Sequence, residues 1–165
     1  MNLRNFIFCA IDFTDIEQSK RLISKIQKYI GGIKIGLEFF SSNGPEGFLE
    51  IKKLGIPIFL DLKLKDIPNT VKHGIDAILK LKPILTTIHI SGGDDMMKAS
   101  KLNKSKTKIL GVSVLTSLDS NQTKKYYNQK NVSTLVKKFA QAAKKNKLDG
   151  IVCSPREIRY IRKEV

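Results

Sequence analysis

A chain of 165 residues that is 41% hydrophobic and 27% charged can bury one sizeable core, which excludes a disordered or purely linker segment. No apolar stretch approaches the roughly 18 residues of a membrane helix, and Met1-Asn2-Leu3-Arg4-Asn5 leads into a strand-like run with no small-residue cleavage site. The formal net charge of +15 suggests a phosphate-binding field, yet the lysines are dispersed: Lys20, Lys25, Lys28, Lys52, Lys53, Lys72 and Lys80 recur along the chain. Without a nucleic-acid motif beside them they read as a lysine-rich background that attracts, at most, a small phosphorylated anion.

Short apolar runs alternate with longer amphipathic ones. Strands are expected at Phe6–Asp12, Ile33–Gly36, Pro57–Lys63, Ile84–Ile90, Lys108–Leu115 and Asp149–Cys153. Helices are expected near Asp15–Ile30, Pro45–Leu54, Asn69–Leu81, Asp94–Leu102, Val132–Asn146 and Pro155–Glu164. In the first helix Ile16, Leu22, Ile23, Ile26 and Ile30 fall near helical spacing, and Gly31-Gly32 stops it. Lys144, Lys145 and Lys147 mark another helix end, where cations complement the macrodipole. Cys9 and Cys153 lie in apolar runs and read as small core residues of a reducing compartment, so the expected location is the cytoplasm.

Repeated strand-helix units imply an α/β fold with a parallel sheet. An open doubly wound sheet and a closed barrel both satisfy that rhythm. Asp12, Lys34, Asp61, Lys63, His89 and Thr116 each fall near the C-terminal end of a different expected strand or strand segment. A barrel gathers such ends into one ring, whereas an open sheet scatters them. The expectation is therefore a (β/α)8 TIM barrel, of which residues 1–165 supply about the first six βα units as a single domain.

The densest chemistry lies in Asp61-Leu62-Lys63-Leu64-Lys65-Asp66-Ile67-Pro68-Asn69-Thr70, which follows a buried-strand run. Asp61 and Lys63 are two apart, so an extended backbone puts both on one face. Charges at the end of a buried strand must be paired to be tolerated. Asp12, Lys34, Asp61 and Lys63 can form such an alternating network, with Asp66 as a third carboxylate from this subunit or a neighbour. In that network Lys63 can donate a proton beside the fixed charge of Asp61, although an ordinary ion-pair cluster has the same composition. The interleaved lysines disfavour a divalent cation. His89 precedes Ser91-Gly92-Gly93, a tight βα turn or a weak phosphate cradle. His73 reads as a surface or packing residue, and Thr116-Ser117 as ring-binding hydroxyls or the start of a loop.

The ten residues from Asp61 to Thr70 resemble the signature of the orotidine 5′-phosphate decarboxylase family. Ala10-Ile11-Asp12, Lys34-Ile35-Gly36-Leu37-Glu38-Phe39-Phe40, His89-Ile90-Ser91-Gly92-Gly93, Val114-Leu115-Thr116-Ser117 and Gly150-Ile151-Val152-Cys153-Ser154 resemble further family segments in the family's order. The resemblance implies decarboxylation of orotidine 5′-phosphate to UMP, in pyrimidine biosynthesis, with no metal or organic cofactor. It implies that Lys63 protonates C6, that Asp61 sits against the substrate carboxylate, and that Lys34 orders the charged row. Asp12 would contact the ribose, Thr116 with Ser117 would approach the pyrimidine, and the whole stretch Asp61 to Thr70 would line the substrate. Asp66, Ile67 and Thr70 would reach into a partner's site, which implies a homodimer.

In the family a further loop and strand carry a phosphate-gripping Gln and Arg, and a last strand ends in Gly-Arg. The sequence stops at Val165, inside the helix expected after the sixth strand, so the domain is expected to be incomplete at that end. Two other readings share these residues. One is a magnesium-dependent sugar-phosphate decarboxylase or aldolase of the same superfamily. The other is a non-catalytic remnant whose exposed strands pair with another chain.

Overall fold

The structure is a computed structural model that describes residues 3–103 and 105–164. Six strands, β1 (Phe8–Ile11), β2 (Gly32–Ile35), β3 (Ile58–Leu64), β4 (Leu85–His89), β5 (Lys108–Val112) and β6 (Gly150–Val152), are hydrogen-bonded in sequence order in one sheet. The helices between and after them are α1 (Ile16–Ile26), α2 (Leu37–Lys52), α3 (Pro68–Leu81), α4 (Asp94–Ser100), α5 (Ser120–Tyr127), α6 (Val132–Lys145) and α7 (Ile158–Glu164). The strand order never reverses, as a doubly wound sheet would require, so this is a parallel α/β sheet of the TIM-barrel type with six strands present. No helix among the described residues is long and apolar enough to cross a membrane.

The chain divides into two compact units. The first runs through Leu62 and takes in Asp76–Thr86. Its strand register is parallel, with Cys9, Ile33 and Ile58 in one row, Ala10, Lys34 and Phe59 in the next, and Ile11, Ile35 and Leu60 in a third. Side chains alternate between faces along a strand. Ile11, Ile33, Ile35, Ile58 and Leu60 are accordingly buried on the helix side, where α1 and α2 pack on each other and α2 packs on β2. The opposite face carries Phe8, Ala10, Lys34, Phe59 and Asp61. There the Phe8 and Phe59 rings meet edge to face, 6.2 Å between centroids. Gly32 pairs with Phe8; a Cβ at that position would stand 2.5 Å from the Phe8 ring and 2.8 Å from the Pro57 carbonyl. A side chain there would displace the ring layer on which the charged residues sit.

Local chemistry sets the ends of the elements. Asp15 caps α1, its carboxylate accepting the Gln18 N–H at 2.8 Å. α2 begins at Leu37, eight residues before the expected Pro45, and bends at Gly44, whose φ of 60° suits glycine. The first helix ends at Ile26 and tightens into a 3-10 turn, Gln27–Tyr29. A 3-10 turn, Leu3–Phe6, occupies the expected start of β1.

The second unit contains Lys63–Ile75, the segment from Thr87, and the chain from Lys108 onward. β5 and β6 pair in parallel with Gly111 opposite Ile151. Asp149 pins their entry: its carboxylate accepts the Ile109 N–H at 2.8 Å and lies 2.6 Å from Lys101 Nζ and 3.6 Å from Lys108 Nζ. Val114, Leu135, Val136, Ala140 and Ile161 form a buried cluster, with Ile151 and Cys153 against it. β5 ends at Val112 rather than at Leu115, level with the end of its partner β6 at Val152, and the Ser113 hydroxyl and N–H both donate to the Val152 carbonyl. α5 lies outside the expected helices; Asp119 and Gln122 form a reciprocal capping box at its start. Both cysteines are free and half-buried, so neither is a fully enclosed core residue.

Candidate active site

Within the first unit the register places Lys34 level with Ala10 and Phe59, and Asp61 two residues further along β3 on the same face. Asp12 follows directly after β1. The Lys34 ammonium therefore extends along the sheet toward the strand ends and stands between two carboxylates. Its Nζ is 3.9 Å from Asp12 Oδ1 and 3.7 Å from Asp61 Oδ2. These separations are charge contacts, slightly longer than direct hydrogen bonds. The two ends of the row differ in solvation: the Asp61 side chain is 7% exposed and that of Asp12 59%. Asp61 is thus the enclosed end of the row, whereas Asp12 faces solvent, where it can meet a polar ligand. Gly36 keeps the backbone close to the row, since a Cβ there would lie 3.5 Å from Lys34 Nζ and 3.6 Å from Asp12 Oδ1.

The signature continues into the second unit. Lys63 is half-buried and adopts φ 51°, a left-handed conformation inside a strand. The extended alternation expected from the Asp61-Leu62-Lys63 spacing therefore stops at Lys63. For a residue with a Cβ this conformation costs of order 1–3 kcal/mol, and such strain persists only where the surroundings hold it. The Lys63 N–H donates to Thr87 Oγ1 of β4 at 2.9 Å, and Thr87 is fully buried. Among the described residues, the other left-handed non-glycine positions are Lys82, Asn128 and Lys147, all at helix ends. Lys63 alone of these four sits in a strand.

Beyond Lys63 the chain turns outward. Leu62 and Leu64 are half-buried, while Lys65, Asp66, Ile67, Pro68, Asn69 and Thr70 are exposed. Asp66 Oδ1 accepts the Ile67 N–H at 2.7 Å, which fixes the corner, and Pro68 opens α3, a position where its missing N–H is harmless. Ile67 is 66% exposed at the tip of this corner. Thr116 and Ser117 are the central residues of an exposed turn closed by the Leu118 N–H on the Leu115 carbonyl at 3.0 Å. His89 ends β4 and is half-buried, followed by a 3-10 turn and by Gly93 at φ 91°. His73 is exposed on α3.

The geometry thus joins Asp12, Lys34 and Asp61 directly. Within the second unit, Lys63 lies in the left-handed turn of β3, Asp66 and Thr70 in the exposed corner that leads into α3, and Thr116 and Ser117 in the turn after β5. In the sequence Thr87 reads only as part of a β-branched run, and its contact with Lys63 goes unnoticed. A signal for it exists nonetheless, since a hydroxyl residue at a buried strand position needs a partner.

A parallel sheet of TIM-barrel type, with an alternating carboxylate-ammonium row at its strand ends, defines an enzyme-like (β/α) architecture. Residues 5–164 match the model of the orotidine 5′-phosphate decarboxylase / HUMPS family, and the chain belongs to that family. It is 40% identical over 163 residues to an orotidine 5′-phosphate decarboxylase of Erythrobacter litoralis, covering 98% of this chain and 73% of that protein. Identity to the protein of that name from Sphingopyxis alaskensis is 42% over 158 residues, covering 95% and 70%. Among solved structures, orotidine 5′-phosphate decarboxylase from Lactobacillus acidophilus superposes with a TM-score of 0.84 at 32% identity, covering 95% of this chain and 75% of that one. An uncharacterized conserved protein from Geobacillus kaustophilus gives a TM-score of 0.86 at 29% identity, covering 95% and 77%. The proteins named as decarboxylases are carboxy-lyases, and the corresponding chemistry is the one to test against this site.

Proposed function

We propose that this protein decarboxylates orotidine 5′-phosphate to UMP, in pyrimidine biosynthesis, without a metal or organic cofactor. The observation that carries the reading is the row Asp12, Lys34, Asp61, together with a signature lysine held in a left-handed turn directly after it. In the reaction the bond between C6 and the carboxylate carbon breaks, carbon dioxide leaves, and the electron pair remains on C6. The Lys63 ammonium supplies the proton to C6 and is left neutral until water reprotonates it. A poorly stabilised carbanion needs a cation fixed in place before charge develops, so that little reorganisation accompanies the step. Asp61, buried and negative, stands against the substrate carboxylate, and Lys34 holds that charge in register with Asp12. Asp12, more exposed, takes the ribose, and Thr116 with Ser117 takes the pyrimidine edge.

The exposed corner Asp66-Ile67-Pro68-Asn69-Thr70 suits a partner subunit, giving a homodimer with shared sites, and Ile67 at its tip is two-thirds exposed. Residues 1–165 are read as part of one (β/α)-barrel domain of a cytoplasmic enzyme. The test is carbon dioxide release from carboxyl-labelled orotidine 5′-phosphate. It is run with the 165-residue polypeptide and with the same polypeptide joined to the part its relatives carry outside the matched region. Release by either supports the reading, and no release by both overturns it. Strict dependence on magnesium would instead favour the sugar-phosphate chemistry.

A further inference from the structure

Lys63 is strained, and a strained residue must be held by something outside itself. One such hold reaches Lys63 through its backbone. At φ 51° the chain after the Lys63 amide departs from the regular strand path, and an amide without an acceptor in a half-buried position is unfavourable. The Thr87 hydroxyl oxygen meets that N–H at 2.9 Å. Thr87 is fully enclosed in β4, and as a β-branched residue it is restricted at χ1. It therefore offers the oxygen from a rigid mount.

We infer that Thr87 is a positioning residue for the decarboxylation: its hydroxyl accepts the Lys63 amide and so fixes the left-handed turn that aims the Lys63 ammonium. The inference rests on Lys63 being the proton donor. Thr87 touches no substrate in this scheme and acts only through Lys63. The hydroxyl matters rather than the bulk, because valine has the same shape without the acceptor. Releasing the amide lets the residue return toward an extended conformation, which swings the ammonium away from its aim. Misplacing a reacting group by about 1 Å lowers a rate by up to about 100-fold.

The experiment compares Thr87→Val, Thr87→Ser and Lys63→Ala with the parent protein, by steady-state kinetics and by the amide exchange rate of Lys63 in NMR. Thr87→Val is expected to lower kcat by about 10- to 100-fold with little change in KM, and to speed exchange of the Lys63 amide. Thr87→Ser restores the acceptor and should recover both. Wild-type kcat and unchanged Lys63 exchange in Thr87→Val overturn the inference. Equal losses in Val and Ser variants also overturn it, because packing alone would then be the cause. If Thr87→Val does not fold, Thr87→Cys keeps the volume with only a weak acceptor and is read in the same way. Full activity in Lys63→Ala would defeat the proton-donor assignment itself, while the exchange data would still decide whether Thr87 holds the turn.

Discussion

Replacing Lys34 by methionine keeps most of its volume and removes the charge between Asp12 and Asp61. At separations of 3.9 and 3.7 Å each contact has a raw attraction of about 4 kcal/mol at an effective dielectric near 20. Neither survives whole. The Asp12 carboxylate is mostly solvated, so its net share falls to about 0–1 kcal/mol. Asp61 is 5% exposed and loses a neighbouring cation, but the lysine's own desolvation is relieved at the same time. The net loss is expected to be about 1–2 kcal/mol, or about 2–8 °C in melting temperature for a chain of this size. Turnover should fall much further, by about 10²- to 10³-fold in kcat, as when one preorganised charge partner is removed from a reacting centre. Thermal melting by circular dichroism and initial rates of carbon dioxide release check the two numbers. A Lys34→Met protein with parental kcat would refute the ordering role. One with an unchanged melting temperature would show that the two charge contacts add nothing net to stability.

Asp149→Asn tests the pin at the start of β5 and β6. Burial pushes the Asp149 carboxyl up, but the Lys101 hydrogen bond, the Ile109 N–H and the charges of Lys101 and Lys108 outweigh it and hold it below the usual carboxylate range. A carboxyl depressed in the fold stabilises above its unfolded pKa of about 3.9 and loses that contribution as pH falls through the lower folded value. The variant should be less stable by about 1 kcal/mol at neutral pH, with the gap closing below about pH 4 in urea melts at several pH values. A gap that stays constant down to low pH would show that Asp149 acts without its charge. Gly32→Ala places a Cβ against the Phe8 ring and the Pro57 carbonyl, at 2.5 and 2.8 Å. Since the carbonyl cannot rotate away, about 1–3 kcal/mol of destabilisation is expected in the same melts. Parental stability would mean that the strand shifts freely there.

The charged row is legible in the sequence because two simple rules suffice for it. Side chains alternate along a strand, and parallel neighbours in a sequential sheet share a level. Lys34, Asp61 and the buried rows of Ile11, Ile35 and Leu60 follow from these. The left-handed turn at Lys63 is not legible, since a lysine has no local preference for φ 51° and the acceptor that holds it lies 24 residues away. α5 escapes for another reason: Ser120–Tyr127 buries only Thr123, so no apolar stripe marks it, and only the Asp119/Gln122 capping box announces the helix. The start of α2 is displaced because Gly44-Pro45 reads as a helix opening, whereas the chain is already helical from Leu37 and bends there. Helix ends and strained residues are set by partners distant in sequence, and periodicity carries no record of them.

Lys63→Gly turns the strain at the site into a measurable quantity. Left-handed φ costs an L-residue roughly 1–2 kcal/mol, and glycine adopts it freely. Against that gain stands the extra entropy glycine loses on folding, roughly 0.5–1 kcal/mol. With Thr87 still accepting the amide, Lys63→Gly should keep the turn and be as stable as the parent or up to about 1.5 kcal/mol more so, while turnover is abolished. The control is Lys63→Ala, which retains the Cβ and the strain and should gain nothing. Urea melts of the three proteins decide the point. If glycine is more than marginally less stable than alanine at this position, the left-handed turn is not strained, and the Thr87 contact has no strain to hold. If glycine is the more stable and inactive, the chain keeps an unfavourable backbone at the residue proposed to donate the proton, and stability has been given up there for aim.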